Sequence, residues 1–200
     1  MDLLIIFTRN PEPGKVKTRL AATIGDAAAL DIYKFLLEHT VSITKDLEAD
    51  KQVHYSVAVR EDDLWDANVY AKVQQQGEGL GVRMEHAFQE GFAAGYEHII
   101  IIGSDMYDLS ASDIEEAFKG LQTHDFVIGP AEDGGYYLLG MKSLKSEVFR
   151  NKAWGTHTVL PMTLEDLEGS SIYWLSVRND IDLYEDIKDN EVFRRFLPED

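Results

Sequence analysis

The sequence predicts an α/β fold: three layers, with helices on both faces of a mostly parallel sheet. Three observations predict it. Leu3–Thr8 and Ile99–Ile102 are runs rich in aliphatic and β-branched residues, which suit strands buried on both faces. Segments of helical period separate the strand-like ones. That alternation continues along the chain, as it does where a parallel sheet is covered on both sides. Residues 1–200 show no internal repeat, low-complexity tract or linker, so one domain is expected.

The elements follow in order. Leu3–Thr8 is the first buried strand, and Arg9–Val16, with Pro11, Pro13 and Gly14, is a loop. Ala27–Leu47 carries helical spacing through Leu30, Tyr33, Leu37 and Ile43. Val53–Val59 alternates as a strand; Glu61–Ala67 suits a short helix and Lys72–Gln75 a short strand. Gly77–Gly81 is a glycine-rich turn before a helix over Arg83–Ala94, closed by Gly95. His98–Ile102 is the central strand. Ser110-Ala111-Ser112-Asp113 caps a helix over Asp113–Leu121. Phe126–Gly129 and Tyr136–Met141 are strands around a turn with Asp133-Gly134-Gly135. Thr158–Leu167 is helical, Ile172–Val177 a strand, and Tyr184–Phe196 a charged terminal helix.

Composition narrows the chemistry. Without cysteine, disulfides, zinc–thiolate sites and thiol nucleophiles are excluded. The six histidines are scattered without metal-ligand spacing, so oxygen ligands and Mg²⁺ or Mn²⁺ suit this chain better than Zn²⁺. A formal charge of −17 argues against nucleic acid or anionic membrane as a partner of the general surface. No apolar run is long enough to span a membrane, and the chain opens directly into a strand, so a cytoplasmic location is expected.

Five segments could carry function. Arg9, Lys15, Lys17 and Arg19 cluster in an otherwise acidic chain, on the connection from the first strand to the first helix. Backbone N–H groups and basic side chains there suit an anion. The segment is neither a Walker A loop nor a dinucleotide fingerprint. Gln76–Met84 places glycines at 77, 79 and 81, which permits close approach of a flat ligand or simply a tight turn into a helix. Asp105 follows the central strand, at the edge where open α/β sheets bind ligands, and suits either a metal or a turn cap. Glu132 and Asp133 precede paired glycines near the same edge. Asp180-Ile181-Asp182 adds carboxylates after the last strand, or caps a helix.

Together these segments, with Trp154-Gly155-Thr156, resemble the bacterial DUF2064 proteins, also described as selenodomain-associated or arsenosugar-biosynthesis glycosyltransferases. The resemblance runs nearly the whole chain and implies the nucleotide-diphospho-sugar transferase (GT-A-like) fold. It further implies a metal-dependent transferase with a nucleotide-sugar donor and a small-molecule acceptor. On that resemblance Arg9, Gly14, Lys15, Lys17 and Arg19 would bind the donor phosphates, and Gln76, Gly77, Gly79 and Arg83 would line the base side. Asp105 and Asp182 would hold Mg²⁺ or Mn²⁺. Gly134, Gly135 and Trp154 would face the acceptor, with Asp133 as general base and Lys17 stabilising charge.

Two departures from the family pattern bear on the metal site. Met106-Tyr107 stand where relatives carry Cys-Pro, and Leu183-Tyr184 where they carry Thr-Pro. Two alternatives stay open. The Lys17–Leu20 segment also resembles phospholactate guanylyltransferases, which transfer a nucleotidyl group and release pyrophosphate. A nucleotide-binding protein without catalysis is the other.

Overall fold

The computed structural model describes residues 1–197. A seven-stranded sheet forms its centre, in the order β3-β2-β1-β4-β6-β5-β7. The strands are β1 (Asp2–Thr8), β2 (Asp50–Tyr55), β3 (Ala71–Gln74), β4 (His98–Gly103), β5 (Phe126–Pro130), β6 (Tyr136–Met141) and β7 (Ile172–Trp174). The helices are α1 (Thr18–Ile24), α2 (Asp26–Thr44), α3 (Leu80–Ala93), α4 (Ala111–Thr123) and α5 (Val159–Asp166). All neighbouring strands pair parallel except β6, which runs antiparallel to both β4 and β5.

The two apolar runs of the sequence become the sheet's two middle strands, β1 and β4. Side chains alternate across a strand, so each run feeds both faces. Leu4, Ile6, Ile100 and Ile102 pack with Tyr33 and Leu37 of α2 and with Ile114 and Leu121 of α4. Leu3, Ile5, Ile99 and Ile101 pack on the other face with Met84 and Phe88 of α3 and Leu164 of α5. A third cluster joins Leu20 of α1 and Leu36 of α2 to Ile187 and Phe193 near the end of the chain.

Four expectations are corrected. Glu61–Ala67 forms turns rather than a helix. Asp63 accepts from the Trp65 N–H (3.1 Å) and the Tyr55 hydroxyl (2.6 Å). Lys72 Nζ donates to the Arg60 (2.9 Å) and Glu61 (3.0 Å) carbonyls. Backbone groups that a helix would use are thus satisfied by side chains. Tyr184–Phe196 is two separate 3₁₀ segments, Tyr184–Asp186 and Glu191–Phe196. Asp186 accepts from the N–H groups of Asp182 (2.9 Å) and Leu183 (2.6 Å), and Asn190 from Val192 N–H (3.1 Å), which starts each segment anew. The α1 helix, absent from the sequence reading, is separated from α2 by Gly25 at φ 86°. Finally, β2 starts at Asp50 and ends at Tyr55, earlier at both ends than Val53–Val59, and β7 stops at Trp174, short of Val177. No helix among the described residues is long and apolar enough to cross a membrane.

Candidate functional site

Parallel β1 and β4 end side by side, with Phe7 paired to Gly103. Their carboxyl ends open into a groove of about 940 Å³. The loop leaving β1 is held firmly. The Tyr33 hydroxyl accepts from Arg9 N–H (2.9 Å) and lies 3.3 Å from Thr8 Oγ1 and 3.2 Å from Ser104 Oγ. Asn10 spends its side chain on the next strand's loop, donating to the Ala58 carbonyl (2.8 Å) and accepting from Val57 and Ala58 N–H. With the chain fixed there, Arg9, Lys15, Lys17 and Arg19 all border the groove, together with Arg83 from α3.

Lys17 is the central side chain. Its backbone is left-handed (φ 47°, ψ 45°), which costs a side-chain-bearing residue roughly 1 kcal/mol or more. Its side chain is 5% exposed, and its ammonium lies 2.8 Å from Asp105 Oδ2. Burial works against the charged amine, but Asp105's charge and hydrogen bond outweigh it and hold Lys17 above the usual lysine range. Burial likewise disfavours the Asp105 carboxylate, and Lys17, then Arg9, hold it below the usual carboxylate range. Arg19 Nη1 meets Asp182 Oδ2 at 2.9 Å. Lys15 pairs with Glu12 at 2.7 Å, and Arg60 reaches the same carboxylate.

The sequence reading passed over Asp180 and Gln75 in assigning site roles. Asp180 borders the groove and the cavity beside it. Burial pushes its carboxyl up to about 6 against the pull of Lys17, with Asp105, Asp133 and Asp182 adding repulsion. Gln75 lines the groove, whereas the adjacent Gln76 and Gly77 do not. Gln75 donates to the His54 carbonyl (2.8 Å) and accepts from Arg83 Nη1 (3.1 Å). Strand alternation gives the signal that separates 75 from 76, but the strand's end hides it. Arg83 also donates to the Gly77 carbonyl (3.0 Å), so Gly77 positions Arg83 while Gly79 borders the groove. Gly14 sits at φ 70° in the loop and lines neither space.

A cavity of about 270 Å³ adjoins the groove. Asp105, Asp133 and Asp180 border both. Asp133 is exposed at the turn between β5 and β6, its Oδ1 accepting from Gly135 N–H at 2.8 Å. Gly135 and Trp154 line the cavity. Gly134 instead packs against the chain. A Cβ there would lie 2.5 Å from His157 Cα, and its carbonyl accepts from Leu160 N–H (3.0 Å). Tyr136 and Trp154 meet edge to face at 6.4 Å. Burial pushes the Tyr136 hydroxyl's pKa up, and it has no hydrogen-bond partner among the described residues.

The implied metal can be tested against these donors. Carboxylate oxygens are the right type for Mg²⁺ or Mn²⁺. Yet Asp105 is bonded to Lys17 and Asp182 to Arg19. Among the described residues no group of three or more His, Asp or Glu side chains is placed to hold a metal ion. The arrangement therefore does not fit a resident divalent ion, and Lys17 supplies the positive charge beside Asp105. The two departures near Asp105 and Asp182 have structural uses. Tyr107 packs against Phe35, His39 and Phe193, and Tyr184 joins the same third cluster.

Comparison with known proteins agrees with this architecture. No curated protein matches the chain. A crystal structure of a provisionally named nucleotide-diphospho-sugar transferase from Desulfovibrio desulfuricans G20 superimposes with a TM-score of 0.84 at 32% identity, covering 96% of this chain and 90% of that one. Two more distant structures share the fold. The 4-diphosphocytidyl-2C-methyl-D-erythritol synthase of Anaerococcus prevotii DSM 20548 gives 0.57 at 12% identity, covering 93% of this chain and 92% of that one. The inositol-1-phosphate CTP transferase of T. maritima gives 0.55 at 12%, covering 97% and 94%. Residues 37–156 match the model of a family described as an uncharacterized protein conserved in bacteria, DUF2064. With the match spanning more than half of its length, and the fold shared from end to end with the Desulfovibrio protein, the chain belongs to the DUF2064 family.

Proposed function

We propose that the protein is a transferase that uses a nucleotide-activated donor, a nucleotide sugar, and passes the sugar to a small hydroxyl-bearing acceptor. One observation carries the reading: Arg9, Lys15, Lys17, Arg19 and Arg83 converge on one groove at the carboxyl edge of β1 and β4, in a chain of net charge −17. Such a concentration of cations on a fixed loop suits a diphosphate. The name carried by the Desulfovibrio relative points the same way.

In this reading Lys17 keeps one N–H on Asp105 and turns its remaining donors to the diphosphate. Arg19 and Arg9 add charge where the leaving group gains it. The acceptor hydroxyl oxygen attacks the anomeric carbon, and the bond from that carbon to the diphosphate oxygen breaks. Asp133, at the junction of groove and cavity, takes the hydroxyl proton, and the nucleoside diphosphate leaves.

Thermal shift with a panel of nucleoside di- and triphosphates, with and without Mn²⁺, tests the donor and its metal requirement together. A shift with one diphosphate is expected; no shift with any nucleotide overturns the reading. Product analysis then separates the two transfer chemistries. A released nucleoside diphosphate is sugar transfer, and pyrophosphate is nucleotidyl transfer. In the active assay, Asp133→Asn is expected to lower kcat by about 10²–10⁴, with a much smaller change in donor affinity.

A further inference from the structure

Cations at the sheet edge are confined to one of its two spaces, whereas carboxylates line both. All five cations named above border the groove, and none borders the adjoining cavity. No Lys, Arg or His among the described residues lines that cavity. Its charged lining is Asp105, Asp133 and Asp180, and the nearby Lys17 is already bonded to Asp105. Most of the remaining wall is apolar or aromatic, including Phe7, Met84, Tyr136, Trp154 and Val159.

This lining discriminates by charge. A phosphate or carboxylate entering the cavity meets carboxylates and finds no cation of its own, an arrangement that suppresses wrong partners. A neutral hydroxyl can donate to a carboxylate without such repulsion. An ammonium gains attraction from the carboxylates and from the aromatic faces. The apolar wall rewards a compact hydrocarbon body.

We infer that the cavity binds a small, non-anionic molecule with an apolar body, a neutral or amine-bearing alcohol, and rejects its phosphorylated or carboxylated counterparts. The inference rests on the proposed function only in identifying this molecule as the acceptor. It deepens that function, because a nucleotidyl acceptor that attacks through a phosphate oxygen would have to place an anion among these carboxylates.

Three matched probes test it: 2-phenylethanol, 2-phenylethylamine and 2-phenylethyl phosphate. Binding is followed by protein NMR shifts and tryptophan fluorescence, in the wild type and in Val159→Trp, which fills the cavity. Only binding that Val159→Trp removes counts as cavity binding, since the phosphate can also enter the basic groove. The alcohol and amine are expected to bind there, and the phosphate at least about tenfold more weakly. Equal or tighter cavity binding of the phosphate, or cavity binding of none of the three, overturns the inference. Thr156 is exposed at the cavity lining, so Thr156→Lys tests the same point without a core substitution. It is expected to improve phosphate binding relative to amine by about tenfold. No such gain also counts against the inference, and this variant decides if Val159→Trp does not fold. Nucleotide binding to the same samples reports on the groove separately. Its failure removes the transferase reading, whereas a failed probe result beside intact nucleotide binding removes only the cavity assignment.

Discussion

Lys17 and Asp105 are unequally shielded: the lysine side chain is 5% exposed and the aspartate 38%. Removing the lysine leaves a carboxylate that water can reach, so stability should suffer less than the ~3–5 kcal/mol of a fully buried broken pair. Lys17→Met is expected to cost about 1 kcal/mol in urea denaturation. Nucleotide affinity should fall about 10–100-fold in a titration, the loss of a charge-assisted bond. His54 contributes to the acid sensitivity of the fold. It is buried against the Phe7 ring, and burial, with His86 adding repulsion, lowers its pKa to about 4. The unfolded chain takes that proton near 6.5, so it binds more protons than the folded chain between those values. Stability is therefore full above pH 6.5 and falls as pH drops toward 4, by about 3 kcal/mol from this group. Denaturation midpoints across that range should show a smaller fall in His54→Gln. At this scale sequence was a good guide to residue type and a poor one to partnership. It identified the basic residues and Asp105, but not that Lys17 and Arg19 would bond the very carboxylates assigned to a metal. Contacts 88 and 163 residues apart along the chain leave no local signal.

Helix α3 shows how an element positions the site. Gly81 lets it approach the segment carrying Trp154: a Cβ there would lie 2.3 Å from the Phe149 carbonyl and 2.8 Å from Trp154 Nε1. Gly81→Ala is expected to cost about 1–3 kcal/mol and to shift Trp154 fluorescence. Gly95→Ala meets nothing within 4 Å and should cost only the backbone penalty of its φ of 93°. Strong periodicity made β1, β4, α3 and α4 legible, because burial on defined faces writes itself into residue spacing. The α1 helix has seven residues, too few to show a period. At Glu61–Ala67 and Tyr184–Phe196 the helical composition was real, but Asp63, Asp186 and Asn190 captured the backbone groups first.

Across the whole molecule, the chain's end closes back on its beginning. Phe193 packs edge-on to Phe35 at 5.8 Å and to Tyr107 at 5.2 Å, and Tyr107 lies two residues from Asp105. Deleting residues 189–200 removes that ring from the third cluster. Stability should fall by at least about 2 kcal/mol, the burial of one large aromatic side chain. Nucleotide affinity should fall as well, since Tyr107 braces the turn that carries Asp105; urea denaturation and titration of the truncated protein check both. Fold class was readable from the alternation of elements. The confinement of cations to the groove, beside a cavity whose charged lining is carboxylate alone, was not, because it arises only when the sheet order brings the five segments together.

The reversed strand β6 gives the molecule a separable part. Because β6 runs against β4 and β5, the link from β5 is a short turn at the carboxyl edge of β4, and Asp133 rides on it. Side-chain changes at 132 and 133 would leave the β5–β6 ladder beneath in place, while Gly134 stays pinned to His157. In the proposed reading, donor handling would rest instead on the β1–α1 connection, whose basic residues border the groove. If that reading holds, exchanging residues 132–133 is expected to change which acceptor is used and to leave the choice of donor unchanged.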